Sequence, residues 1–349
     1  MEKQMLKSRL PPIPAGDIRS TRHRQIDYTP VDWKGYFDQQ DEITVGNDRF
    51  HVYKSGKSGP VLLFLHGGGF SGLTWALLST AIQQSIECRC VALDFRAHGE
   101  SKCADENDLS TDTLTNDVGN VVTALFGDEA PPPVVLIGHS MGGAIGVDVA
   151  HRGIIPSLTA LVVIDVVEGT ACEALGSMRS FLGNRPRAFE SLERAIEWSL
   201  KTGQIRNIDS AKVSVIGQLK SIDSGSDFQQ SVSNQSNIIA EETEEEAAAS
   251  NHEVPAQTNK YTWRLDLMKT EQFWKGWFTG LSKKFLGVPV PKMLLLAGVD
   301  RLDKDLTIGQ MQGKFQMKVL PKCGHCVHED VPDEVAEILV SFLKRHKLV

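Results

Sequence analysis

Ser140 stands in Gly138-His139-Ser140-Met141-Gly142, directly after the apolar run Val134-Val135-Leu136-Ile137 and before a small-residue stretch, Ala144 to His151. A G-x-S-x-G between a strand and a helix is the pattern of a nucleophile elbow. The turn is so tight that the serine takes a strained backbone conformation. Only glycine-sized neighbours at Gly138 and Gly142 leave room for it. The hydroxyl is then held at the carboxyl end of a sheet, above the first amides of a helix, where N–H groups and the helix dipole stabilise negative charge. Such a serine is suited to acyl transfer.

Acyl transfer also needs a base, an acid that orients it, and donors for the developing oxyanion. His325, in Val319-Leu320-Pro321-Lys322-Cys323-Gly324-His325, is the expected base, with Gly324 giving the imidazole room. His328 is the alternative, but Glu329 and Asp330 follow it and it reads as the start of the next helix. Two residues compete as the acid. Asp165, in Leu161-Val162-Val163-Ile164-Asp165-Val166-Val167, is favoured because a carboxylate in an apolar strand is costly unless paired. Asp300, after Leu296-Ala297-Gly298-Val299, lies at the commoner place for such an acid. Yet it opens the charged run Arg301, Asp303, Lys304 and Asp305, which suits a solvated ion pair. The oxyanion donors are expected from the Met141 amide and the loop His66-Gly67-Gly68-Gly69-Phe70, with Gly68 first and Gly69 beside it. His139 and the run Asp94 to Gly99 read as scaffold, the latter bracing the loop under the site.

This chemistry calls for no cofactor and no metal. Cys323-Gly324-His325-Cys326 matches the C-x-x-C of disulfide oxidoreductases. That chemistry needs the motif to open a helix after an early strand, and here it follows the last strand. Its cysteines and histidines also fall short of a zinc-ligand spacing.

Apolar residues make up 41% of the 349 residues and charged residues 23%, ordinary for one globular domain with an insertion. No apolar run is long enough to span a membrane, and Met1 to Pro14 lacks the apolar core of a secretory signal. Six irregularly spaced cysteines fit a reducing, cytoplasmic or nuclear setting. The net charge of −7 is local: eight acids and no Lys or Arg lie between Ile222 and Thr258, and without them the chain carries +1. A nearly neutral body gives no footprint for nucleic acid.

Continuous apolar strands alternate with helices up to Val167, which predicts an α/β fold with a mostly parallel sheet covered on both faces. Residues 1–38 read as a flexible arm and 39–349 as the domain. Residues 168–286 read as a mostly helical cap or insertion. Inside it, 221–258 is rich in Ser, Gln, Asn and Glu and is expected to be a disordered acidic loop. Phe189 to Thr202 reads as an amphipathic helix, and Pro332 to Arg345 as the closing one.

With the elbow, the H-G-G-G loop, Asp94-Phe95-Arg96-Ala97-His98-Gly99-Glu100-Ser101 and the terminal Gly324-His325 in order, residues 40 to 346 resemble the α/β-hydrolase superfamily. Gly138 to Ala144, Val163 to Gly169, the acidic insert, Ala297 to Asp303 and Cys323 to Asp330 together resemble the protein phosphatase methylesterase family over almost the whole chain. That resemblance implies hydrolysis of the methyl ester on the C-terminal leucine of the protein phosphatase 2A catalytic subunit, and stable binding that restrains the phosphatase. It places the family's triad on Ser140, Asp165 and His325. Within the acidic insert, Ile239-Ala240-Glu241-Glu242 matches the end of an L-x-x-I-x-E docking pattern, but Ser236 stands where an apolar residue belongs. A solvating linker is the simpler reading of that segment.

Overall fold

The computed structural model describes residues 26–127, 132–222, 260–298 and 302–349. Almost all of the expected acidic loop, the Ile239–Glu242 pattern and Asp300 lie outside them.

The main sheet is built from β1 (Gln39–Val45), β2 (Asp48–Ser55), β3 (Val61–Leu65), β4 (Arg89–Leu93), β5 (Val134–His139), β6 (Leu158–Ile164), β10 (Lys292–Leu296) and β11 (Gln316–Val319). Its strand order is β1-β2-β4-β3-β5-β6-β10-β11. The first two pairings are antiparallel and the rest parallel. Side chains alternate between faces along each strand, so both faces bury an apolar set. Leu62, Phe64, Val135 and Ile137 face α1 (Ala76–Gln83) and α11 (Pro332–Arg345), which contribute Leu78, Ile82, Leu339 and Phe342. Leu63, Leu65, Leu136 and Val163 face α2 (Thr111–Phe126) and α3 (Met141–Arg152), which contribute Leu114, Val118, Ile145 and Val149. The start of α2 is set by Ser110, whose side chain accepts the Thr113 amide hydrogen as an N-cap. The α/β architecture expected from the alternation is present.

After β6 the chain builds α4 (Glu168–Gly183), β7 (Ala188–Phe189), α5 (Leu192–Thr202), α6 (Ile208–Ser214), β8 (Leu219–Ser221), β9 (Tyr261–Trp263), α7 (Glu271–Phe278) and α8 (Leu281–Gly287). The helical expectation for this insertion needs one addition. The strands β7, β9 and β8 form a small antiparallel sheet, and Phe189 belongs to it rather than to the helix that follows. Trp277 fastens the insertion to the body by donating its indole N–H to the Leu109 carbonyl at 2.7 Å. Two short helices complete the chain, α9 (Lys304–Met311) and α10 (Val327–Asp330).

The flexible arm expected over 1–38 is corrected over its described part. Phe37 is buried, Trp33 packs on the Tyr53 ring with centroids 5.9 Å apart, and the Val31 amide donates to the Lys212 carbonyl. Trp33, Tyr36 and Phe37, three aromatic rings in five residues, supply enough apolar area to hold that stretch against Tyr53 of β2.

Candidate active site

The elbow forms as its glycines require. Ser140 directly follows β5, with φ 52° and ψ −120°, a positive-φ conformation that costs a non-glycine residue energy and is held by its surroundings. A Cβ at Gly138 would lie 2.3 Å from the Gly142 carbonyl oxygen, and one at Gly142 would lie 2.3 Å from that of Leu65. Neither backbone oxygen can move aside, so both positions demand glycine. Met141 opens α3, and amides in a first helical turn lack intrahelical partners.

Asp165 lies one residue beyond the end of β6, also at positive φ, 51°. Its side chain is fully buried. Oδ1 accepts the Ala297 amide at 2.9 Å and Oδ2 faces His325 Nδ1 at 2.8 Å. A carboxylate only accepts, so this contact puts the imidazole proton on Nδ1 and leaves Nε2 with its lone pair. The His325 side chain is 49% exposed while that of Asp165 is 0% exposed. The imidazole is therefore open to a ligand, and the carboxylate bonded to it is shielded from water. The cost of burying the carboxylate is offset by these bonds. Of the two acids weighed from sequence, Asp165 meets His325; Asp300 lies outside the described residues.

His328 does not face the site. It is fully buried in α10, packed against the Trp75 ring with centroids 4.1 Å apart and bonded through Nε2 to Thr74 Oγ1. Burial pulls its pKa down to about 3, so it stays neutral.

The loop after β3 is held from below. His98 Nε2 accepts the Gly69 amide at 2.9 Å, and His66 Nε2 accepts the Phe95 amide at 3.1 Å. Asp94 Oδ1 accepts the Gly72 amide at 2.6 Å. Burial holds His66 down to about 4 and His98 to about 3, which keeps each accepting lone pair available. The bracing role read for Asp94 to Gly99 is what these bonds perform. They also correct one expectation: Gly69 spends its N–H on His98 and has none to offer an oxyanion. Gly68 makes no such bond among the described residues. It lies beneath Leu267 of the insertion and beside Met141, whose Sδ would be 3.7 Å from a Cβ there. Of the two glycines weighed as loop donors, Gly68 is the one whose N–H is not taken by His98.

Gly324 is a second correction. A Cβ there would lie 3.2 Å from Arg206 Nε and 3.3 Å from Asp330 Oδ2, so the missing side chain makes room for those groups rather than for the imidazole. The Cys323/Cys326 pair is not joined as a disulfide. Both are buried free thiols, and burial pushes Cys323 up to about 11 and Cys326 well above the ordinary range. Among the described residues no group of three or more His, Cys, Asp or Glu is placed to hold a metal.

Sequence reasoning missed what fixes the histidine loop: Arg206, Asp330, and the bond from His139 Nε2 to the His325 carbonyl at 3.0 Å. Only the adjacency of His139 to Ser140 could have hinted at the last.

A family model described as alpha/beta hydrolase family matches residues 62–338. The chain is 54% identical to "Protein phosphatase methylesterase 1" of Mus musculus and 53% identical to that of Homo sapiens, covering 99% of this chain and 95% of each relative. It is 38% identical to the Schizosaccharomyces pombe protein of that name, over 90% of this chain and 85% of the relative. Among solved structures it is similar to E-2-(acetamidomethylene)succinate hydrolase, with a TM-score of 0.66 at 18% identity over 88% of this chain and 99% of that one. It is also similar to an esterase of Mycobacterium tuberculosis, with a TM-score of 0.59 at 21% identity over 88% and 91%. Those two likenesses speak for the fold alone. The site therefore sits in a serine ester hydrolase of the alpha/beta hydrolase fold, and the chain belongs to the protein phosphatase methylesterase family.

Proposed function

We propose that this enzyme hydrolyses the methyl ester on the C-terminal leucine of the protein phosphatase 2A catalytic subunit, with Ser140, Asp165 and His325 as its catalytic residues. The observation that carries the reading is the 2.8 Å contact between His325 Nδ1 and buried Asp165, beside a serine held at positive φ. The high identity to proteins named methylesterases supports the substrate class.

His325 Nε2 takes the Ser140 hydroxyl proton as Oγ attacks the ester carbonyl. The tetrahedral oxyanion is received by the Met141 and Gly68 amides, each such donor contributing roughly 3–4 kcal/mol to the transition state. Collapse breaks the bond to the methoxy oxygen, which leaves as methanol with the proton from His325. Water then repeats the sequence on the acyl-enzyme and releases the leucine carboxylate and Ser140. Asp165 holds the Nδ1–H throughout and stabilises the imidazolium.

One methyl ester on a protein tail offers little to recognise, so the insertion that roofs Gly68 with Leu267 is the surface that receives the tail. The same docking restrains the phosphatase between turnovers, in the cytoplasm or nucleus. The test is incubation with carboxyl-methylated phosphatase and a mass-spectrometric count of the methyl group. Loss of the methyl with wild type and its retention with Ser140→Ala is expected. Turnover of free lipid or p-nitrophenyl esters with none on the phosphatase tail would make this a small-molecule esterase instead.

A further inference from the structure

We propose that Asp330 is a positioning residue for His325, and that it works by tying the histidine loop to the insertion. The loop between β11 and α10 has no strand or helix of its own to fix it. Its backbone is held by groups from elsewhere. Asp330 Oδ2 accepts the Gly324 amide at 2.7 Å, and Oδ1 accepts the Arg206 amide at 2.8 Å. Arg206 lies between α5 and α6 of the insertion, and its guanidinium donates to the Lys322 carbonyl at 3.2 Å. On the other side of the imidazole, His139 Nε2 donates to the His325 carbonyl at 3.0 Å.

The chain is thus pinned on both sides of His325, one peptide before it at the Gly324 N–H by Asp330 and just after it at the His325 C=O by His139. These two anchors narrow the backbone rotation that could swing the imidazole, and the Asp165 bond sets the ring. Releasing the Gly324 N–H frees one of the two pivots. The close packing at Gly324 fits this role, since a side chain there would press on both Asp330 and Arg206. Charge fits it too. A carboxylate can accept from two N–H donors at once, whereas an asparagine, whichever way it turns, aims an NH₂ at one of them. Burial holds the His139 pKa well below its ordinary value, so no positive charge is placed beside His325.

The inference rests on His325 being the base. The experiment therefore compares Asp330→Asn with His325→Ala on p-nitrophenyl acetate, using the full chain. Asp330→Asn is expected to lower kcat about ten- to a hundredfold, as a sub-ångström displacement of a catalytic group does. Its KM should stay within about twofold, since substrate binding is untouched. The downfield resonance of the His325 Nδ1–H, assigned by its absence in His325→Ala, should shift or broaden. Arg206→Ala, which keeps the backbone amide, should show a smaller fall in the same direction. The two substitutions combined should lose less than the product of their separate effects, because they act on one loop. Should Asp330→Asn fold poorly, Asp330→Glu, which keeps the carboxylate but displaces it by one methylene from the Gly324 and Arg206 amides, carries the test through the same kinetics and resonance. Unchanged kcat and resonance with only a lowered melting temperature would make Asp330 merely structural and overturn the inference. A His325→Ala protein that keeps wild-type turnover would instead overturn the site reading beneath it.

Discussion

Ser140 and Asp165 stand side by side at the carboxyl ends of β5 and β6, and both hold positive-φ backbone, φ 52° and 51°. The Ser140 amide donates to the Ile164 carbonyl at 3.0 Å, so the residue before Asp165 steadies Ser140. The Asp165 amide in turn donates to Leu295 at 2.7 Å. Each such conformation costs roughly 1–3 kcal/mol, and the parallel ladder on either side over-determines both. The sheet thus stores strain at the two positions where a side chain must leave the pleat to reach the site.

Ser140→Ala should remove methyl-ester hydrolysis by about a millionfold while leaving the fold and phosphatase capture intact. In the proposed function the hydroxyl supplies chemistry, whereas docking would use surface elsewhere. Mass spectrometry of the phosphatase tail after incubation reads the first effect, and co-purification reads the second. Turnover retained in a preparation free of wild type would remove Ser140 as nucleophile.

Asp165→Asn should lower kcat by about ten-thousandfold, because an amide at that place favours the wrong imidazole tautomer. Asp300→Asn should leave turnover near wild type. Circular dichroism must show Asp165→Asn folded, since the side chain is buried. If the two variants exchanged phenotypes, the acid would be Asp300.

The elbow and its partners were legible because local chemistry dictates them. Gly138 and Gly142 have no room for a Cβ, and Asp165 in an apolar run had to find a partner. What was missed is non-local. Strand β7 has two residues and β9 three, too short for any periodicity, and their pairing joins residues more than seventy apart in sequence. The amide of Gly69 looked available until His98, 29 residues on, took it. Arg206 and Asp330, 124 residues apart, carry no signal that they meet. Trp33 and Phe37 were read as part of an arm because charges and prolines dominate the residues before them.

Gly142→Ala should abolish stable folding, while Gly68→Ala should be tolerated. A Cβ at 142 would lie 2.3 Å and 2.4 Å from two backbone oxygens, and one at 68 meets nothing closer than 3.6 Å. A clash against fixed backbone falls in the exceptional class of losses above about 4 kcal/mol. Thermal melts of the two purified proteins decide it, and a Gly142→Ala protein that melts like wild type would contradict the packing described.

Stability should depend on pH through two opposed sets of buried groups. His66, His98, His139 and His328 are all held below their usual values, chiefly by burial. The unfolded chain then binds more protons as pH falls below about 6.5, and stability drops through pH 4. Glu329 acts in the other sense. It is fully buried among the hydroxyls of Thr74, Ser210 and Ser214, with His328 and Asp330 as neighbouring titratable groups, and burial raises it to about 7 from 4.5. Its contribution is complete below the unfolded value and is lost as pH rises through 7. Subtracting the Glu329→Gln denaturation curve from wild type isolates it. The difference should change by about 3 kcal/mol across that window. A flat difference would mean that Glu329 does not titrate there.

Deleting Ser224 to Thr258 should leave a folded esterase with small-ester turnover near that of the full chain. The flanks of that segment are already joined. Ser221 pairs with Tyr261, Lys220 with Thr262 and Leu219 with Trp263 in an antiparallel ladder, and the Ile222 amide donates to the Lys260 carbonyl at 2.8 Å. The deletion connects Ile222 to Lys260 through Asp223 and Asn259 alone. Two residues are the length of a tight hairpin turn, and Asp and Asn are the non-glycine residues that best accept the left-handed conformation it requires. The strands of the small sheet therefore need not move, and a shorter closed loop costs little or favours folding. Leu219 and Trp263 keep their places in the insertion's core, so the loop that carries Leu267 over Gly68 keeps its anchor. Melting temperature and p-nitrophenyl acetate kinetics of the shortened protein test this. Aggregation, or loss of small-ester turnover, would show that residues 224–258 support the site rather than interrupt a hairpin.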